Sequence, residues 1–225
     1  MTLAALALVL FAQDPPKDAK DPDDLLDTLK TALDSAIKKA PKDPETRAKL
    51  TDASKAIFNN GISSSVPKNP RTIWDWQTHF VELLAQADKK WSGTEVKKER
   101  EIWIASCKSA FSRMILAVKD QPVPDTEDLY TTFHTYIGKA KGSFTDETSM
   151  DLRTAAFGGA KVVFGKLLAT APPSTRDAQR VYEGQLARVD KEYPQQTEKD
   201  KKWNKEPAEV LKAAAKSAFD KAIKK

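Results

Sequence analysis

The chain is poor in the residues from which most catalytic and metal sites are built. Its 225 residues include one cysteine, Cys107, and two histidines, His79 and His134. A lone cysteine excludes an internal disulfide framework, a cysteine-rich zinc site and c-type haem attachment. Two histidines far apart in sequence leave little material for a metal centre. Glycine is also scarce, with 8 residues against a usual share of about 7%. That scarcity speaks against a β-sandwich, a barrel or a fold built on glycine-rich phosphate loops. Arginine supplies only 8 of the 37 basic residues. It is the residue of bidentate phosphate and base recognition, so the balance is poor for sequence-specific nucleic-acid binding. No apolar run reaches the ~20 residues of a transmembrane helix.

What is present is a globular composition, 40% hydrophobic and 31% charged, with a formal net charge of +5. From Gln195 onward nine lysines face five acids, so most of the excess positive charge lies near the C-terminus. The run Leu3–Ala12 is unbroken apolar sequence of the length of a signal-peptide h-region, although no basic residue precedes it. The sequence therefore predicts a signal peptide over residues 1–13, a disordered linker over 14–24 that is dense in proline and charge, and a single all-α domain over 25–225. The mature chain is expected to be extracytoplasmic, either periplasmic or secreted.

Apolar residues recur at helical spacing throughout, and strand-type alternation is nowhere sustained. Eight helices are predicted: Asp23–Ala40, Pro44–Asn59, Pro70–Trp91, Thr94–Lys119, Thr126–Lys141, Glu147–Thr170, Ser174–Tyr193 and Pro207 to the C-terminus. The third and fourth, joined by Ser92-Gly93, should form an antiparallel hairpin at the centre of a multi-helix bundle. The segment before Pro207 reads as a charged connection. Ala36-Ile37-Lys38-Lys39 recurs at Ala222–Lys225, but helix spacings do not repeat at 34 or 40 residues. The similarity therefore reads as Ala/Lys helix filler rather than a repeat array, with a helical-hairpin solenoid as the lesser alternative.

Candidate chemistry fails on helix phase. His79 and Glu82 stand at i and i+3, which can aim two groups at one point. The apolar wedge centres near Phe80, however, which places His79 on its flank and Glu82 on the opposite side. His134 also lies on the flank of its stripe. Cys107 sits within an apolar stripe and reads as buried and inert. The stretch around Gly158-Gly159 and Lys166 fails as a phosphate loop, since Ala160 and Leu167 occupy decisive positions. Leu152, Ala156, Gly159 and Val163 instead form a small-residue face for close helix approach. No catalytic residue, metal ligand or cofactor is assigned. Trp74, on the flank of its helix, and Trp203, among lysines, are the candidate ligand-binding residues.

The function expected from these observations is that of an exported, non-catalytic helical binding protein, with another protein as the expected partner, no specific nucleic acid and no membrane span. Two alternatives stay open. One is an enzyme whose site assembles around His79 and His134. The other is a weak polyanion or anionic-surface binder acting through Lys199–Lys225.

Overall fold

The computed structural model describes residues 20–224 apart from 41, 70 and 120. The apolar run at 3–12, and the signal peptide expected there, lie outside the described residues. Eight α-helices and no strand are found among those described: α1 (Pro22–Lys39), α2 (Pro44–Ile62), α3 (Ile73–Lys90), α4 (Lys97–Ala117), α5 (Thr126–Ser143), α6 (Met150–Thr170), α7 (Ala178–Glu192) and α8 (Glu198–Ile223). Short 3-10 turns at Thr94–Val96 and Glu147–Ser149 lead into α4 and α6. The fold is the expected all-α multi-helix bundle.

Several boundaries differ from the sequence reading, each for a local reason. The expected linker ends earlier than 24, because Asp21 caps α1 by accepting from Asp23 N and also accepts from Lys68 N at 2.6 Å. A single carboxylate thus closes the helix start and ties it to the loop after α2. Gly61 is not the stop of α2, which continues to Ile62. A Cβ at Gly61 would meet Leu25 at 2.8 Å, so this glycine serves the close approach of α1 to α2. The largest correction concerns α8. Its start is Glu198, not Pro207, because Thr197 and Asp200 form a reciprocal capping box. Pro207 then lies inside the helix, where proline costs about 3 kcal/mol. Pro207 and its neighbours Asn204 and Ala208 are buried, which offsets part of that cost.

Helices pair in chain order, α1 with α2, α3 with α4, α5 with α6 and α7 with α8. The antiparallel sense of the second pair follows from its contacts. Trp103 Nε1 donates to Leu83 O at 2.8 Å, Trp91 lies 5.3 Å from Trp103, and Phe80 stacks on Phe111 at 4.5 Å. Successive pairs then stack in one fixed way. The first helix of each pair lies against the second helix of the next, α1 on α4, α3 on α6 and α5 on α8. The second helices also touch in series, α2 to α4 to α6 to α8. The middle of the molecule is therefore shared by two pairs, α3–α4 and α5–α6. Helix α6, apolar on two sides, touches α3, α4, α5 and α8.

This is a repeat, and its period is not one that the sequence reading considered. Helices α3 and α5 each have 18 residues, α4 and α6 each have 21, and the members of both pairs begin 53 positions apart. Helix α1, also 18 residues long, begins 51 positions before α3. Equivalent core positions carry Leu29, Phe80 and Phe133, then Leu33, Leu84 and Ile137, then Ala36, Ala87 and Ala140, all buried. A buried residue closes each first helix: Ala40, Trp91, Phe144 and Tyr193. Stacked helical pairs of this kind depend mainly on nearest-neighbour interfaces.

The junctions carry a second periodic feature, with Arg47, Arg100 and Arg153 spaced by 53 positions. Each reaches from the second helix of its pair toward a carboxylate of the next pair. Arg47 Nε lies 3.3 Å from Glu99, and its terminal nitrogen also donates to Glu95 O. Arg100 grips Asp151 with two bonds, 2.9 and 3.1 Å, and donates to Thr148 O at 2.8 Å. Thr148 is the counterpart of Glu95, so the same acceptor recurs at both junctions. Among the described residues, Arg153 pairs with Glu206 at 3.8 Å and lies over the Trp203 ring, 4.8 Å away. Its side chain is fully buried and its three nitrogens have no hydrogen-bond partner.

Candidate functional site

The two histidines occupy different gaps of the stack. His79, on α3, faces α1: its Nε2 lies 2.8 Å from Asp23 and its Nδ1 lies 3.5 Å from Glu82. His134, on α5, faces the end of α7 and lies 3.3 Å from Glu192 and 6.0 Å from the Tyr193 ring. One imidazole is thus committed to the first two pairs and the other to the last two. Among the described residues, no group of three His, Cys, Asp or Glu side chains is arranged to hold a metal ion.

The two candidate tryptophans are also engaged within the chain. Trp74 is half-buried and stacks on Tyr136 with centroids 4.5 Å apart. Trp203 lies in α8 rather than in a connection, with the Arg153 guanidinium over its ring. These contacts support a role in pinning helices together. Cys107 is fully buried, and burial pushes its thiol well up from the usual value, as an inert core cysteine requires. Four of the nine C-terminal lysines face acids: Lys201 with Glu198, Lys202 with Glu147, Lys212 with Asp190 and Lys216 with Asp220. No helix among the described residues is long and apolar enough to cross a membrane.

An open cleft of about 460 Å³ lies between α5 and α7. Sequence reasoning missed it. Its signal is a spacing of four along one face of α7, where Arg180, Gly184 and Arg188 follow one another. Such residues share a helix face, and the two arginines are about 12 Å apart along the axis. Gly184 leaves the space between them open, since a Cβ there would meet nothing within 4 Å. Arg176, just before α7, completes a row of three guanidinium groups along the cleft.

The acids around this cleft already have partners. Glu127 is held by Arg176 at 2.5 Å, and Asp177 caps α7 by accepting from Arg180 N. Arg188 shares its Nε with Glu192 at 2.7 Å, whereas the Arg180 side chain has no carboxylate partner among the described residues. At the floor stands Tyr130, 1% exposed, with a hydroxyl that has no hydrogen-bond partner among the described residues. Burial, helped by Glu192 and Tyr193 and opposed by Arg188, pushes this phenol far above its ordinary range, so it keeps its proton. Beside it, burial and Arg188 lower the His134 imidazole against the pull of Glu192. His134 Nε2 likewise makes no aligned hydrogen bond. The cleft therefore offers donors: guanidinium groups at the rim and a neutral phenol beneath.

These features define an all-α protein of stacked helical pairs with a donor-rich cleft in its C-terminal half. Comparison with known proteins finds no matching family model, no similar curated sequence and no matching solved structure.

Proposed function

We propose that this is an extracytoplasmic, non-catalytic binding protein whose binding site is the α5–α7 cleft. The observation that carries the reading is the Arg180-Gly184-Arg188 face over the unpartnered Tyr130 hydroxyl. Buried polar groups in native proteins normally have partners, and a cleft of this volume falls in the ligand-pocket range of about 300–1,000 Å³. The export part rests on the apolar run Leu3–Ala12 and the polar sequence after it. The enzyme alternative needs His79 and His134 to act together, and their separate carboxylate partners on α1 and α7 weigh against it. The polyanion alternative needs free lysines on α8, most of which face acids.

The test uses a blocking substitution that does not threaten the fold. Gly184→Leu fills open space on an exposed helix face and removes a helix-weakening glycine. Ligands that raise the melting temperature of the unmodified chain should lose that effect in Gly184→Leu. Ligands that shift both proteins equally would show that the cleft is not the binding site. Cell fractionation of the full chain, with and without residues 1–13, tests export separately.

A further inference from the structure

We infer that the α5–α7 cleft takes a small organic oxyanion, a phosphate ester or a polycarboxylate, held between Arg180 and Arg188 with the Tyr130 hydroxyl as a third donor. The inference rests on the reading of this cleft as the binding site and adds the chemistry of its occupant.

Three observations converge. First, the rim is cationic where it is free. The acids Glu127 and Asp177 are bound to Arg176 and to the start of α7, whereas Arg180 has no carboxylate partner among the described residues. Arginine presents several donors in one plane and pairs with carboxylate or phosphate through two parallel bonds. Second, Gly184 sits midway between the arginines on the same face. With no side chain at Gly184, two long side chains about 12 Å apart along the helix have open space between them. A ligand in that gap would be held from both ends.

Third, the floor has a vacancy of the matching polarity. The Tyr130 hydroxyl is buried and unpartnered, and it remains a neutral O–H donor at any ordinary pH. An acceptor atom arriving in the cleft would give this buried hydroxyl the partner such groups normally have. Arg188 already shares its Nε with Glu192, and its terminal nitrogens remain for a ligand. Cations are disfavoured by the arginines, and a neutral apolar ligand would leave Arg180 and the Tyr130 hydroxyl without an acceptor. The size also fits: about 460 Å³ exceeds a bare inorganic ion and suits an oxyanion carried on a small organic frame.

Isothermal titration of the full chain with glycerol 3-phosphate and with citrate tests the inference and separates the two sources of oxyanion. Binding of either should weaken at least tenfold in Arg180→Gln/Arg188→Gln, severalfold in Tyr130→Phe, and beyond detection in Gly184→Leu. Each variant should keep the cooperative melting of the parent. Rising salt should weaken binding in the parent more steeply than in the double variant. Binding of one oxyanion and not the other assigns phosphate or carboxylate. Equal affinity in the parent and the double variant would overturn the arginine clamp. Absence of heat with both probes, together with binding of a neutral ligand that Gly184→Leu abolishes, would overturn the oxyanion chemistry but keep the cleft. Loss of every ligand effect would remove both readings.

Discussion

Removal of Arg100 tests whether the guanidinium contacts between successive helical pairs hold the stack together. The side chain is 10% exposed and makes two charge-assisted bonds to Asp151 and one to Thr148 O. A hydrogen bond to a charged group contributes about 1.5–3 kcal/mol when protected from water. Asp151 is 51% exposed, so solvent screening places its pairing at or below the lower end of that range. The Thr148 carbonyl loses its guanidinium donor, and the buried stem loses its packing. Arg100→Ala should therefore cost about 2–3 kcal/mol, Asp151→Ala about 1–2 kcal/mol, and the double variant about 1 kcal/mol less than their sum. Urea unfolding of the four proteins supplies the cycle. A single-variant loss below about 1 kcal/mol, or strictly additive losses, would refute the view that this junction is a structural tie. The pair also has a pH signature. Burial alone would raise the Asp151 carboxyl, but the Arg100 hydrogen bond and charge outweigh it and hold it below the usual range. A depressed carboxyl contributes its stability above its unfolded value, about pH 4, and loses it as pH falls through the folded value. Asp151→Asn should shrink that acid limb.

Adjacent glycines of α6 should respond with opposite signs. A Cβ at Gly159 would lie 2.7 Å from Gln77 and 2.8 Å from the buried Phe80 ring, whereas one at Gly158 would meet nothing within 4 Å. Thermal melting should show Gly158→Ala stabilised by up to about 1 kcal/mol from helix propensity, and Gly159→Ala destabilised by about 1–2 kcal/mol from overpacking. The imidazole of His134 is lowered chiefly by burial, so its stabilising contribution is complete above the unfolded value of about 6.5 and falls as pH drops through the folded one. Removing the ring in His134→Gln should flatten stability against pH in that window, as read by denaturant midpoints at stepped pH. At the start of α8, Thr197→Ala breaks the capping box and should cost about 1 kcal/mol, with a matching loss of helical circular dichroism. No change would return the start of the helix toward Pro207.

Much of the fold was legible because helix period and stop signals are local properties. Pro44 behind Asp43, and the acids behind Asp125, mark helix starts that the structure reproduces. The small face of α6 was legible too, and Gly159 meets Gln77 and Phe80 of α3 there. The start of α8 is hidden because a proline at the first helical turn is a strong prior, and the Thr197–Asp200 box lies seven to ten residues upstream of the proline in a run of lysines. The repeat was lost for another reason. Its period of 51–53 positions lies beyond the short repeat lengths considered, and only sparse positions such as Phe58, Phe111 and Phe164 keep their identity across it. The resemblance that did catch the eye, Ala36–Lys39 with Ala222–Lys225, joins the end of a first helix to the end of a second one, so those segments are not equivalent. Of the candidate site, only the residue spacing was accessible in advance. That Tyr130 is buried without a partner depends on how α7 lies on α5, which no local pattern encodes.

The last helical pair departs from the period at the places where the cleft and the unpaired arginine occur. Helix α7 has 15 residues where α1, α3 and α5 have 18, and α8 opens directly as a helix, without the 3-10 turn that precedes α4 and α6. That turn supplies the carbonyl that receives Arg47 at Glu95 and Arg100 at Thr148. Without it, Arg153 has an aromatic ring and a distant carboxylate in place of a backbone acceptor. Tyr130 and His134 stand on α5, facing α7, with polar atoms that have no hydrogen-bond partner among the described residues. A repeat array whose only purpose was stability would gain from a terminal pair that satisfied these groups. Retaining them unsatisfied costs free energy, which is the usual mark of a place where function, and not packing, sets the residue. The cleft on α7 lies beside two of those unmatched groups, and this coincidence is the strongest physical reason to look for a ligand there.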